Sequence, residues 1–180
     1  MNNKATKEQS YESGSFCCFV VNPFMNALTD QISSLLKSGE PCEALLEKIL
    51  RETLKHFSSE TGTIHRLDAE KQLLHLVAQA GLPPQMLDIV KTIPVGKGIA
   101  GETAAKNLPV TICNLQTDTS GVAKPGAKQT GVGGAVCVPI RHGEKIVGTL
   151  GIGTRREHEY SAAEINALQD IANSLAGQLG

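Results

Sequence analysis

Ile93–Thr111 reads IPVGKGIAGETAAKNLPVT and carries more structural information than any other stretch of this 180-residue chain. Gly96 and Gly98 flank Lys97 in a turn that side chains would crowd. Ile99 to Lys106 favour helix, Asn107 is a stop signal, and Pro109 leads into the β-branched run Val110-Thr111-Ile112. A helix is therefore predicted to start at a glycine turn, where the first backbone N–H groups lack intrahelical acceptors and the dipole is positive. Such an end can hold an acceptor or an anion. Taken alone, it can equally be a tight turn whose amides meet water.

Upstream, Leu28, Ile32, Leu35 and Leu36 keep helical spacing within 26–37, and Ser38-Gly39-Glu40-Pro41 breaks that helix. A second helix runs to about Phe57, with Leu45, Leu46, Ile49, Leu50, Leu54 and Phe57 as its buried stripe. Residues 61–67 and 72–80 form a hairpin about Asp68-Ala69-Glu70-Lys71, and Pro83-Pro84 open a short helix to about Val90. Downstream, a strand over 110–114 precedes a glycine-rich irregular stretch, 115–134, which reads as a mobile flap with little that could pack. A second hairpin spans 134–141 and 145–154 around His142-Gly143. The last helix opens with the capping box Ser161-Ala162-Ala163-Glu164. Its Ile165, Leu168, Ala172, Leu175 and Leu179 have the spacing of a coiled-coil seam, so a homodimer through terminal helices is expected. The domain reading is a flexible arm over 1–25 and one domain over 26–180, with its core at about 42–179.

A net charge of −1, 3% aromatic residues and no Trp argue against nucleic acid or a membrane as partner. Five cysteines without C-x-x-C or zinc spacing read as reduced thiols of a cytoplasmic protein, with no metal and no cofactor expected. The apolar run Phe16–Val21, with Cys17 and Cys18, is too short to span a bilayer and is expected to bury in a dimer.

Val95-Gly96-Lys97-Gly98-Ile99-Ala100-Gly101-Glu102-Thr103-Ala104 matches V-G-x-G-I-A-G-x-x-A. A strand, a variable loop, Val138-Pro139-Ile140 and Val147-Gly148-Thr149-Leu150 follow. This ordered set resembles the GAF domain family over roughly 42–179. The resemblance implies a small-molecule-sensing module with an antiparallel sheet flanked by helices. Some free-standing members reduce free methionine sulfoxide. Their cysteine positions fall here on Ala100 and Val90, the flap has no cysteine, and Ala135 stands near an acidic position, so the chain is expected not to be an enzyme. For cyclic-nucleotide-binding members, the matching positions are Thr63, Gln79 with Ala80, and Ile99 with Ala100. The flap threonines fall instead near Lys128 and Val132, the base-reading acid falls at Gly151, and N-K…F-x-x-x-D-E survives only as Tyr160 and Glu164. Thr154-Arg155 stand where N-K would be. Nucleotide binding is kept as an alternative. A structural dimerisation module with an empty pocket is the other. Bilin attachment is disfavoured because no Cys neighbours a His.

If the first hairpin closes over five residues, His65 faces His75 on the sheet face that also carries Thr63 and Gln79. Two histidines there could ligate a metal, bind an anion or sense pH; a shifted register would send them to opposite faces. The expected fold is α+β. Five or six mostly antiparallel strands carry the terminal helices on one face, and the glycine-start helix and flap on the other. Between sheet and flap a pocket is expected, lined by Thr63, His65, Val77, Gln79, Ile99, Ala100, Thr103, Asp118, Lys128 and Cys137, with room left by Gly148 and Gly151. Small residues with backbone donors suit the binding of a small molecule, a nucleotide or another anion included. Ligand capture is expected to order the flap and shift the terminal helices.

Overall fold

The computed structural model describes residues 23–38, 41–115 and 132–179. Helices α1 (Pro23–Leu36) and α2 (Cys42–His56) come first, then strands β1 (Thr61–Asp68) and β2 (Leu73–Ala80). Next are α3 (Pro84–Val90), β3 (Thr92–Pro94), α4 (Gly98–Lys106) and β4 (Val110–Ile112). The chain closes with β5 (Ala135–His142), β6 (Lys145–Gly153), α5 (Ala162–Ser174) and a single turn, α6 (Ala176–Leu179). The strands form one six-stranded sheet, ordered β3-β2-β1-β6-β5-β4, with every neighbouring pair antiparallel. The α+β architecture follows the expectation. Most of the arm over 1–25, with Cys17 and Cys18, and most of the flap lie outside the described residues. Pro23 already belongs to α1, three residues ahead of the expected start.

One face of the sheet carries the main core. Leu28 and Ile32 of α1, Leu46, Ile49 and Leu50 of α2, and Leu168 and Ile171 of α5 pack on Ile64, Val138, Ile140 and Leu150. The α5 start is sealed as the motif requires: Glu164 N–H donates to Ser161 Oγ at 3.3 Å, and Ser161 N–H donates to Glu164 Oε2 at 2.8 Å. Leu168, Ala172, Leu175 and Leu179 are all buried in the core of their own chain. The helix also breaks at Leu175, so no continuous helix presents that stripe. A short seam repeat and a core-facing stripe share the same spacing, and here the sheet takes it.

A β-bulge between Ile64 and His65 sets the other face. Thr63 pairs with Gln79 and Ile64 with Ala78, yet His65 pairs with Leu76, which leaves Val77 as the extra residue of β2. Val77 therefore turns to the helix-side core beside Ala78, away from the expected pocket. The shifted register also places His75 opposite Arg66. Because successive residues alternate faces, His65 and His75 lie on opposite sides of the sheet, and the expected histidine pair does not form.

Gly148 is likewise reassigned. A Cβ there would sit 2.2 Å from the His65 carbonyl oxygen and 3.0 Å from Leu179 Cδ1, so its bareness permits close strand packing rather than pocket volume. Gly148→Ala is expected to destabilise the fold by about 1–3 kcal/mol through overpacking. Gly177→Ala, with nothing within 4 Å of its Cβ, is expected to be neutral or mildly stabilising. Urea unfolding midpoints moving in the same direction for both would contradict this assignment.

Candidate functional site

On the face away from α2 and α5 lies a cavity of about 440 Å³. Its floor is the middle of the sheet: Thr61 and Thr63 from β1, Gly151 and Gly153 from β6, Ala135 and Cys137 from β5. Met86, Ile89 and Val90 of α3 make one wall, Thr92, Ile93 and Pro94 of β3 another, and the first turn of α4 a third. Leu115 and Val132 close the side nearest the undescribed segment.

The turn before α4 has the expected form. Gly96 and Gly98 adopt φ +78° and +64°, and a Cβ at Gly101 would stand only 2.4 Å from Pro94 O. Lys97 occupies the N-cap without a capping side-chain bond. Gly101 N–H donates to Lys97 O at 3.2 Å, whereas the amides of Gly98, Ile99 and Ala100 find no backbone acceptor among the described residues. Gly98, Ile99, Ala100 and Lys97 all line the cavity, so these donors stand at its edge. At the far end, Asn107 takes the left-handed conformation at φ 51° and ends the helix.

His65 is 1% exposed. Its Nε2 lies 2.9 Å from Val90 O, and since a carbonyl only accepts, Nε2 carries the proton. Nδ1 is then an acceptor, buried and unpartnered among the described residues. Burial pushes the pKa down to about 4, against a smaller rise from the Val90 bond and a further fall from His75, so the ring is neutral at neutral pH. Cys137, fully enclosed, is pushed up to about 11 by burial and stays a thiol.

Of the expected site residues, Thr63, His65, Ile99, Ala100 and Cys137 line the cavity, as does Gly151. Thr103 does not: it is wholly buried on the sheet-facing side of α4, its hydroxyl 2.9 Å from Ile99 O and 3.3 Å from Cys137 O. Gln79 flanks Thr63 in register without lining the cavity, and Val77 faces the core. Asp118 and Lys128 lie outside the described residues. The apolar wall of Met86, Ile89, Val90, Leu115 and Val132 was not foreseen. Its only sequence signal was an apolar Met86/Ile89/Val90 set in a short helix after Pro83-Pro84. Leu115 and Val132 are 2% and 6% exposed, packing with Ile112, Ala135 and Ile99, so the ends of the expected flap are core. Among the described residues, no group of three or more His, Cys, Asp or Glu could hold a metal ion, and no helix is long and apolar enough to cross a membrane.

Residues 40–177 match the family profile described as the GAF domain. No curated protein matches the sequence. Among solved structures, the GAF domain from Acinetobacter phosphoenolpyruvate-protein phosphotransferase is similar at TM-score 0.73 and 17% identity, over 88% of this chain and 94% of that one. The free methionine-R-sulfoxide reductase from Neisseria meningitidis, in complex with its substrate, is similar at TM-score 0.69 and 16% identity, over 86% and 87%. The reduced form of fRMsr of Staphylococcus aureus is similar at TM-score 0.69 and 19% identity, over 87% and 95%. These likenesses show a shared fold. They also correct the expectation that the chain is not an enzyme: free methionine-R-sulfoxide reductases are built on this same fold, so the architecture itself houses catalysts.

Two measurements check the electrostatics. Because the folded pKa of His65 lies below its unfolded value, the unfolded state binds more protons between about pH 6.5 and 4, and stability falls as pH drops through that window. The His65 contribution is on the order of 3 kcal/mol, and His65→Gln is expected to flatten the pH slope of denaturant unfolding there. An unchanged slope would remove this role. Cys137 is expected to resist alkylation in the native protein at pH 8, whereas exposed Cys42 and Cys113 react.

Proposed function

Because the chain belongs to the GAF domain family, we propose that it captures a small molecule in the cavity between sheet and α4 and serves as a sensory module. The observation that carries this reading is the cavity of about 440 Å³, apolar over most of its wall, with uncommitted backbone donors at one edge. Volumes of this order are typical of small-molecule sites. Its walls suit a responsive element. α3 is only seven residues long and is tied down by few bonds, among them His65 to Val90 O and Leu76 N–H to Lys91 O at 3.0 Å. Met86 is 1% exposed while Ile89 is 50% exposed, so α3 plugs the cavity with one side chain and leaves its neighbour at the mouth. Filling the cavity gives α3 and the Leu115/Val132 cluster new apolar partners and orders that side of the molecule.

A thermal-shift screen against nucleotides, amino acids, 2-oxoacids and free methionine-R-sulfoxide tests the proposal, with thiol-dependent turnover read separately for the last. A ligand at about a hundredfold its Kd stabilises by about 2.7 kcal/mol, and the melting temperature must rise with concentration. Ala100→Trp, which fills the cavity from the start of α4, is expected to abolish the shift while leaving the unliganded protein folded. A ligand shift that survives in Ala100→Trp would place binding elsewhere.

A further inference from the structure

The cavity offers no partner for a buried charge. Among the described residues no carboxylate lines it, and burial keeps His65 uncharged and Cys137 protonated at neutral pH. His65 spends Nε2 on Val90 O, and its Nδ1 is sealed within the protein, as is the hydroxyl of its strand partner Thr149. The Thr61 hydroxyl is engaged with Gly153 O at 3.2 Å. Lys97 is exposed, so solvent screens its ammonium, and the amides that follow it stand at the same edge. What the floor presents is neutral: the Thr63 hydroxyl and the Cys137 thiol.

Such a lining treats solutes unequally. An ion that enters loses its hydration and gains no counter-charge. Water fares little better, because a well-held molecule needs roughly two to four polar partners. The hydrocarbon of Met86, Val90, Ile99 and Val132 supplies none. Displacing poorly held water with an apolar group gains affinity.

The rim supplies a separate observation. Ile89 lines the cavity yet is 50% exposed, on the same short helix as the wall residues Met86 and Val90. An apolar surface that runs from an interior wall out to the rim is the kind that an apolar occupant covers. Size follows from volume. A void of roughly 150 Å³ accommodates benzene. At about 440 Å³, this cavity has room for two fused rings.

We infer that the cavity selects neutral, hydrocarbon-rich molecules the size of two fused rings over nucleotides and other ions. This rests on the ligand-capture reading above.

The test titrates the full chain at neutral pH with naphthalene and its charged relatives 1-naphthoate and 1-naphthylmethylammonium. Cyclic AMP and dissolved xenon are run beside them. Binding is read from the Met86 methyl NMR signal and from melting temperature. Naphthalene is expected to shift Met86 and raise the melting temperature, with each charged relative at least about tenfold weaker. Gly151→Val builds into the floor from a position where a Cβ meets only ordinary contacts, and it is expected to weaken naphthalene at least about tenfold. Either charged relative binding as tightly as naphthalene, or cyclic AMP binding more tightly, overturns the ligand class. Naphthalene that binds without moving Met86, or equally well to folded Gly151→Val, overturns the site. Xenon enters an apolar cavity of any shape. If it moves Met86 while naphthalene does not bind, the inference falls and the capture reading stands; if no probe, xenon included, moves Met86, both fall.

Discussion

The cavity exists because α4 is fastened at both ends to different parts of the sheet, and the fastening at its start needs bare backbone. Gly96 N–H donates to Gly101 O at 2.8 Å and Lys97 N–H to Pro94 O at 3.0 Å, folding the turn back on the edge strand β3. A side chain at Gly101 would collide with Pro94 O. At the other end Arg141 Nε donates to Asn107 Oδ1 at 2.9 Å, which anchors the helix terminus to β5. Thr103, midway, lies against Cys137 O. The helix therefore starts over the β3 edge and settles on β5, and the floor of β1 and β6 beneath its first turn stays uncovered. Moving the glycine turn toward the sheet centre would close the volume.

The two faces of the sheet divide the labour. Ile64, Val138, Ile140 and Leu150, each at most 1% exposed, meet α1, α2 and α5 in one continuous core. Among the described residues, the opposite face carries the smaller cluster of Ile112, Leu115, Val132 and Ala135 with Ile99. Stability gathered on one face is what lets the other keep a void, since an apolar volume left unfilled forfeits packing that a marginally stable fold must recover elsewhere. It also confines low local stability to the elements around the void, α3 and the β3 edge, where motion would serve binding.

Much of this was legible in the chain because it is written in local chemistry. Glycines at 96 and 98, Asn107 at a helix end and Ser161 with Glu164 each answer to one steric or hydrogen-bonding demand, and each stands where it was placed. Thr63, Ile99, Ala100 and Cys137 reach the cavity because strand alternation and helix start follow from those same signals. The failures are non-local. Nothing in the sequence announces that β2 carries one residue more than β1 requires, yet that residue, Val77, turns to the core and separates His65 from His75. Leu175 and Leu179 repeat like a seam, and only the presence of the sheet decides what they face. Met86 and Leu115 look like core residues because a cavity wall and a core use the same side chains.

The floor of the cavity shows how a single register sets chemistry. One row of paired residues runs across the sheet: Gln79 beside Thr63, Thr63 beside Gly151, Gly151 beside Cys137, and Cys137 beside Val110. Gly151 sits at its centre, and a Cβ there would rest 3.4 Å from Thr63 Oγ1 and 3.6 Å from Cys137 Sγ, ordinary contact with no clash. The backbone thus tolerates a side chain at this position, unlike at Gly148, and what glycine contributes is depth in the floor. A slip of β1 by one residue against β6 would turn Thr63 toward α2 and Ile64 into the cavity, exchanging a hydroxyl for hydrocarbon. The fully packed opposite face forbids that slip, because Ile64 and Leu150 pair in register and are both buried in the helix-side core. The polar character of the site is therefore held in place by apolar residues on the far side of the sheet that never approach it.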